Sequence, residues 1–501
     1  MRRIRLAIQG AVQGVGFRPF VYRLAEELDL TGSVSNTAGG VITEIQGQPK
    51  AVSAFTQRVV DEAPPVSHIA SIAVDDLPVK PGETGFIILL SDDSQAKTVT
   101  ILPDLATCPD CLQEIFSHQD RREGYAFTNC TNCGPRFSII NDIPYDRPNT
   151  EMRSFAMCPE CEREYHNPRD RRFHAQPNAC HRCGPRLSLK FEDGDDNQEP
   201  LKEAVGLLRT GHILALKGIG GYQLLCDALS EQAVQELRQR KQREEKPLAV
   251  MFPNLESVKE HCRVSKAASA LLRSPAAPIV LLQRRKASDL ASAVAPGNPN
   301  LGVMLPYSPL HHLLMARLNF PVVCTSGNRH DEPIAFRDDD ARRRLVRLAD
   351  VFLTHDRPIA RHLDDSVVRV TTRGEQYFRR ARGYAPLPLR LHRAGPCVLA
   401  VGAHLKNTIA IAFGDQVILS QHIGDLSTPE AHDAFRQVIT DLPRLYDFTP
   451  ELIACDRHPD YLSSRYAHEQ GLPLVEVQHH YAHVAAVLAE HEPEEPILGV
   501  A

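Results

Sequence analysis

The sequence predicts a multidomain protein of α+β and α/β character, and three observations carry that reading. A chain of 501 residues is too long for one hydrophobic core, because a domain averages roughly 150 residues. Its hydrophobic periodicity alternates between strand-like and helix-like runs in separate blocks along the chain. Between two of these blocks lie eight of the thirteen cysteines, as four Cys-x-x-Cys pairs. The bulk composition is that of a globular protein, 43% hydrophobic and 24% charged with net charge −5. That balance gives no general attraction to nucleic acid or an anionic membrane. No apolar run reaches the ~18 residues that span a bilayer, and MRRIRLAIQG lacks the apolar core of a signal peptide. The paired cysteines are therefore expected in a reducing cytoplasm, as metal ligands rather than disulfides. The other five (Cys226, Cys262, Cys324, Cys397, Cys455) read as small buried apolar side chains.

Residues 1–91 form the first predicted domain. RIRLAIQG alternates like a strand, RPFVYRLAEELDL has helical spacing with Pro19 near its start, and GGVITEIQG is again strand-like. Helical SAFTQRVVDEAP ends at Pro64 and Pro65, and strand-like SHIASIAV and GFIILL follow. The order strand–helix–strand–strand–helix–strand is the split βαβ, or ferredoxin-like, pattern. A polar linker at SDDSQAK leads on.

Residues 104–190 hold an internal repeat. CPDC and NCTNCGPRFSII are matched by CPEC and ACHRCGPRLSLK, with 18 residues between the pairs in each copy and an offset of 50. Eight thiolates at this spacing make two zinc-finger sites of four cysteines each, since zinc is the ion best suited to such a shell. Cys108, Cys111, Cys130 and Cys133 are assigned to one, and Cys158, Cys161, Cys180 and Cys183 to the other; interleaved pairing of the copies stays open. With four protein ligands no position is left for water, so both zincs are expected to be structural, each contributing on the order of 10–16 kcal/mol to local folding. The basic RDRR at 169–172 keeps a nucleic-acid-binding zinc ribbon as a rival reading. FEDGDDNQEP closes the block as an acidic linker.

Residues 198–388 alternate helix and strand: LKEAVGLLRTG, HILALKG, EQAVQELRQRK, PLAVMF, APIVLLQ, HHLLMARL, PVVCTSGN. This is an α/β domain with a mixed sheet. PLPLRLHRAGP reads as a proline-containing hinge. Residues 395–501 open with VLAVGAHLKNTIAIAFGDQVILSQHIGD, three strand-like runs in a β-meander. The closing EEPILGVA reads as the start of a buried strand with nothing after it, so the last domain is expected to be truncated.

The chemistry-bearing stretch nearest the start is GAVQGVGFR, residues 10–18, with three glycines, no acid and one cation, Arg18. Backbone N–H groups freed by glycine, the positive end of the following helix and a guanidinium fork together suit a phosphate or carboxylate. The stretch resembles, position for position, the signature of the acylphosphatases. That resemblance implies phosphate binding by Gln13, Gly14, Val15, Gly16, Phe17 and Arg18, and a catalytic pair of Arg18 and Asn36 (in GSVSNTAGG), the asparagine orienting the attacking water. Ser33 stands where that family usually places an aromatic residue.

The domain order as a whole resembles the HypF family, the carbamoyltransferases of nickel–iron hydrogenase maturation, over all 501 residues. The third block is similar to YrdC-like domains that form acyl adenylates. This implies nucleotide and carbamate binding by Lys217 in KGIGGYQLLCDA, by Lys241, Arg243 and Lys246 in KQREEKPLAV, by Thr325, Ser326 and Asn328 in CTSGN, and by Arg380 in RRARGYAP. The fourth block is similar to the start of an actin-like ATPase fold. Its VQHHYAH puts His479 and His483 on one helical face, four residues apart, as two ligands of a further metal whose remaining acidic ligands lie beyond position 501 in the family. The resemblance implies this sequence: carbamoyl phosphate is hydrolysed to carbamate, carbamate reacts with ATP and Mg2+ to form carbamoyl adenylate, and the carbamoyl group passes to the C-terminal cysteine of HypE as the cyanide precursor. That last transfer is expected to be lost here. A zinc-finger RNA-binding or tRNA-modifying protein is the alternative, and an acylphosphatase with appended scaffolding a third reading.

Overall fold

The computed structural model describes residues 1–37, 39–64, 66–89, 100–191, 194–196, 199–491 and 497–500. The SDDSQAK linker, and parts of FEDGDDNQEP and EEPILGVA, lie outside the described residues. The first block contains β1 (Arg2–Ala11), α1 (Phe17–Glu27), β2 (Thr31–Thr37), β3 (Gly40–Gly47), α2 (Pro49–Asp61), β4 (His68–Leu77) and β5 (Phe86–Ile88). Its sheet has the order β4-β1-β3-β2-β5; the four strands β4-β1-β3-β2 are antiparallel, as the ferredoxin-like pattern requires, and β5 adds parallel to β2 at the edge. Alternation along β1 sends Ile4, Leu6 and Ile8 into a core against Phe20, Val21 and Leu24 of α1.

In the cysteine block each copy folds into one short helix, Pro109–Phe116 or Pro159–His166, with proline in its first turn and the first cysteine of the copy as its N-cap. The tail of the second copy does not stay within the block. Leu187–Phe191 becomes a strand antiparallel to Val351–His355 of the third block.

That strand belongs to an eleven-stranded mixed sheet. Its order is Gly374–Arg379, Val367–Thr371, Ile279–Gln283, Asn300–Met304, Ala249–Met251, Val322–Ser326, Tyr222–Asp227, Leu214–Lys217, Val351–His355, Leu187–Phe191, Gly194–Asp196. The helices Pro200–Arg209, Glu231–Lys241 and Pro309–Leu318 cover it with the apolar stripes the sequence predicts. Each predicted strand and helix of this block is present.

The fourth block differs from expectation in three ways. PLPLRLHRAGP is no hinge: Pro388–Ala400 is one strand antiparallel to Ala410–Leu419. Pro388 is the first residue of the strand, and Pro396 lies where the register shifts between Gly395 and Val398, so the missing N–H of each breaks no regular ladder. The two later runs of the expected meander are the single strand Ala410–Leu419, and parallel strands Leu452–Asp456 and Leu474–Val477 complete the sheet. Ile497–Val500 is not a buried strand; it lacks secondary structure, and Leu498 is 91% exposed.

The cysteine block packs on all three others. Its Ile115, Tyr125 and Phe127 share a core with Leu214, Met304 and Leu314 of the third block. Phe137, Ile140 and Tyr145 share one with Leu399, Ile411 and Phe435 of the fourth. Arg136 Nε donates to the carbonyl of Gly14 at 3.0 Å.

Candidate functional site

The eight paired cysteines form two clusters, Cys108/Cys111/Cys130/Cys133 and Cys158/Cys161/Cys180/Cys183, with ligand atoms within 4.8 Å of one another. Pairing is within each copy, not interleaved. A tetrahedral ion with sulfurs at about 2.3 Å holds them about 3.8 Å apart. The Sγ–Sγ separations are 3.6 Å for Cys108–Cys130, 4.0 Å for Cys130–Cys133, 3.7 Å for Cys158–Cys180, 3.8 Å for Cys180–Cys183 and 3.6 Å for Cys161–Cys183, so both sets fit such an ion.

The copies brace each other reciprocally. Arg121 and Arg122 of the first pair with Glu164 of the second, at 2.6 and 2.5 Å, while Arg171 and Arg172 pair with Glu114 of the first. Arg121 also donates to Cys161 Sγ and Arg171 to Cys111 Sγ, each at 3.3 Å. RDRR is therefore committed to acids rather than presented to nucleic acid; even the exposed Arg169 lies 3.6 Å from Glu26.

The glycine loop turns into α1 through two left-handed residues, Gly14 (φ +70°) and Gly16 (φ +72°), the latter being the N-cap. A Cβ on Gly16 would lie 2.7 Å from Thr131 Oγ1, so both its φ and the close approach of the cysteine block require glycine. Gln13 Nε2 donates to the carbonyls of Thr37 at 2.7 Å and Gly40 at 2.9 Å, pinning the loop to the β2–β3 connection. Val15 and Phe17 point into the core, which leaves their backbone N–H groups as their means of binding a ligand.

Arg18 is 7% exposed and Asn36 2%. Asn36 Oδ1 is buried without a hydrogen-bond partner, an orphan acceptor of the kind a bound water would satisfy. Sequence reasoning missed the roof of this site. Arg18 Nη2 lies 3.5 Å from Asp146 and 3.5 Å from His174 Nδ1, both supplied by the cysteine block. Burial lowers the Arg18 pKa, with Asp146 opposing. Burial first, then Arg18 and His166, push His174 down to about 3, so it faces the guanidinium as a neutral acceptor.

A second site opens in the third block, a cavity of about 260 Å³. Lys241, Arg243, Lys246, Ser326 and Asn328, five of the eight residues predicted for nucleotide and carbamate, line it together. Lys241 ends its helix, and Gln242 in the left-handed region (φ +51°) turns the chain beneath the cavity. Lys241 Nζ donates to the Ser326 carbonyl at 2.8 Å, the Asn328 carbonyl at 2.7 Å and Asn328 Oδ1 at 3.0 Å. Burial, then Arg243, push its ammonium down to about 7; burial, then Arg238, push Arg243 down to about 10.

The other three predicted residues lie elsewhere. Thr325 is buried in its strand, outside the lining. Lys217 sits 2.7 Å from Asp338 and donates to the His355 carbonyl at 2.9 Å, at a different cavity. Arg380 donates to the Leu387 carbonyl at 2.6 Å, and its neighbour Arg379 lines the cavity instead. Successive side chains at a strand's end face opposite sides, so a one-residue step exchanges them. Arg329, Asp364, Lys406, His422 and Asp425 also line the cavity; the last three come from the fourth block and carry no local signal.

On helix His479–His491, the Nε2 atoms of His479 and His483 lie 3.2 Å apart, and His479 Nδ1 is 2.6 Å from Asp456 Oδ2. The carboxylate fixes the ring and frees Nε2 for a ligand. Among the described residues, only the two cysteine sets bring three or more ligating side chains together.

A ferredoxin-like domain with a glycine loop, paired four-cysteine fingers, a mixed sheet with a cation-lined cavity and an opening fourth domain define a multidomain enzyme-type architecture, and family models match it in that order. Acylphosphatase matches residues 4–88, the HypF finger 107–140 and 157–190, the YrdC-like family described as telomere recombination 206–381, and the HypF Kae1-like domain 393–490. The carbamoyltransferase HypF of Synechocystis sp. is 50% identical over 100% of this chain and 66% of its own length; that of Rhizobium leguminosarum bv. viciae is 49% identical over 100% and 65%. A crystal structure of full-length HypF in a phosphate- and nucleotide-bound form superposes with a TM-score of 0.95 at 45% identity, covering 99% of this chain and 65% of that one. HypF of T. kodakarensis gives 0.91 at 38%, covering 98% and 64%. The chain belongs to the HypF family and spans about two thirds of the length of these relatives. No helix among the described residues is long and apolar enough to cross a membrane.

Proposed function

We propose that this chain carries the first two steps of a carbamoyl-transfer sequence. In the first, carbamoyl phosphate binds with its phosphoryl group on the loop N–H groups of residues 13–18 and on Arg18. Asn36 orients water for attack on the phosphorus, the bond from phosphorus to the carbamoyl oxygen breaks, and carbamate and phosphate leave. No acid or nucleophile is needed, because an acyl phosphate is already activated and positioning with charge stabilisation suffices. In the second step a carbamate oxygen attacks the α-phosphorus of ATP, bound with Mg2+ in the Lys241 cavity, giving carbamoyl adenylate and pyrophosphate. Lys241, Arg243 and Lys246 hold phosphate charge, and Ser326 and Asn328 orient the reacting ends. Transfer to the C-terminal cysteine of HypE is assigned to the whole protein.

Zinc is the ion proposed for both cysteine sets, as a structural element; His479 and His483 are proposed as two ligands of a further metal. The grouping of eight cysteines into two metal-ligand sets rather than disulfides supports a reducing, cytoplasmic setting.

The observation that carries the reading is the orphaned Asn36 Oδ1 beside a glycine loop closed by Arg18. Phosphate release from carbamoyl phosphate tests it. Arg18→Ala should lower kcat/KM about 10³-fold and Asn36→Ala about 10²-fold. Unchanged turnover in both would refute it.

A further inference from the structure

The roof that the cysteine block sets over Arg18 presents two hydrogen-bond acceptors. Asp146 Oδ1 and His174 Nδ1 each lie 3.5 Å from Arg18 Nη2. A charge-assisted bond closes to about 2.8 Å, so the guanidinium leaves acceptor capacity unused on both. Both groups are held from behind. Buried Gln176 donates from Nε2 to Asp146 Oδ1 at 3.1 Å, and its own Oε1 accepts from Tyr165 Oη at 2.7 Å. The Gln176 carbonyl accepts from Arg147, the residue next to Asp146, at 2.6 Å. His174 has a left-handed backbone, φ +49°, which is uncommon outside glycine. Its ring packs against those of Phe173 and Tyr165, with centroids 4.4 and 4.7 Å away. A strained backbone kept beside a binding loop points to a demand on the side chain it aims.

A carboxylate beside a phosphate cradle is unfavourable, because it repels the anion that the loop and Arg18 attract. A ligand offsets that repulsion if it brings donors of its own to the same place. An acyl phosphate held by its phosphoryl group on the loop extends its acyl end toward the roof. In carbamoyl phosphate that end is an amide NH2 with two donors; in acetyl phosphate it is a methyl group of similar size with none. The methyl would take water from a carboxylate and an imidazole nitrogen without replacing its hydrogen bonds. We propose that Asp146 and His174 are specificity-determining residues of the first site, their carboxylate oxygen and Nδ1 receiving the two N–H groups of a carbamoyl donor and so selecting it over acyl phosphates with an apolar end. The inference rests on the hydrolysis proposed above. It adds a source of selectivity that the glycine loop, which meets only the phosphoryl group, does not supply.

The test compares phosphate release from carbamoyl phosphate and from acetyl phosphate by the intact, metal-loaded chain, each corrected for its uncatalysed rate. The readout is the ratio of the two kcat/KM values, in which loss of folded protein or of phosphoryl binding cancels. Wild type is expected to favour carbamoyl phosphate about 100-fold, since a site built to pair a donor rejects the analogue that lacks it. Asp146→Leu and His174→Phe should each lower the ratio about tenfold. His174→Asn should keep most of it, because asparagine tolerates the left-handed backbone and its Oδ1 falls close to the place of Nδ1. A ratio unchanged in both Asp146→Leu and His174→Phe would overturn the proposal, as both substrates falling together marks the roof as packing. Should those variants not fold, wild type decides alone: a ratio near one overturns the proposal and one near 100 supports it. Hydrolysis of neither substrate by wild type would overturn the function proposed above and this inference with it, whereas equal hydrolysis of both overturns the inference alone.

Discussion

The two regions proposed here as anion sites are built in opposite ways. Around Arg18 the cradle is made of backbone N–H groups of a glycine loop, Arg18 is 7% exposed, and another block of the chain covers it. Around Lys241, side chains from several segments converge on an open cavity of about 260 Å³. The first arrangement suits a small ligand held by its phosphoryl end and shielded from bulk water; the second suits a nucleotide, whose length needs several separated cations. Their common dependence differs as well. The first site takes Thr131, Tyr145, Asp146 and His174 from the cysteine block, whereas the second is lined by residues 241 onward only.

Metal removal should therefore separate them, with the largest effect of any single change. Each four-sulfur site contributes on the order of 10 kcal/mol to local folding. Stripping the ions with a chelator is expected to abolish phosphate release from carbamoyl phosphate while nucleotide binding at Lys241 persists in weakened form. Parallel assays of hydrolysis and nucleotide titration check this, and equal loss of both would break the contrast.

A smaller effect is expected at the reciprocal braces. Arg171→Ala should speed metal release from the Cys111 set, and Arg121→Ala from the Cys161 set, by about 10–100-fold each. A chromogenic chelator reads both rates. Release unchanged in both variants would reduce the arginine–sulfur contacts to packing.

The smallest effect sharpens the second site. Lys241 titrates near 7 because burial, and after it Arg243, disfavour its charge. Its folded pKa is depressed, so the ammonium that attracts phosphate is present below pH 7 and lost above it. Nucleotide Kd should be flat on the acid side and rise up to about tenfold per pH unit on the alkaline side, until pH passes the higher pKa that Lys241 has beside bound phosphate. Titrations of wild type and Lys241→Met compare the slopes; a Lys241→Met slope equal to that of wild type would contradict the assignment.

What could be read from the sequence follows the same division. GAVQGVGFR and the cysteine repeat are contiguous, and their constraints (left-handed glycine, helix N-terminus, ligand spacing) are local, so the loop and the metal clusters were legible. The roof was not, because Asp146 and His174 are brought to Arg18 by packing between blocks, and no spacing rule reaches across them. Lys217 and Arg380 fall outside the lining of the Lys241 cavity. Both lie within motifs of the right kind, but Lys217 serves another cavity and Arg380 yields its place to Arg379 by strand alternation. The tail of the second finger copy, Leu187–Phe191, reads as part of its repeat and pairs instead with the large sheet, since an apolar strand joins whichever edge is in register.

The coupling of the two regions is most directly tested by carbamoyl-phosphate-dependent exchange of labelled pyrophosphate into ATP by the 501-residue, metal-replete chain. Exchange that vanishes in Arg18→Ala and returns when carbamate is supplied from another source is the predicted result. No exchange in the wild-type chain, or full exchange from carbamoyl phosphate in Arg18→Ala, would contradict it.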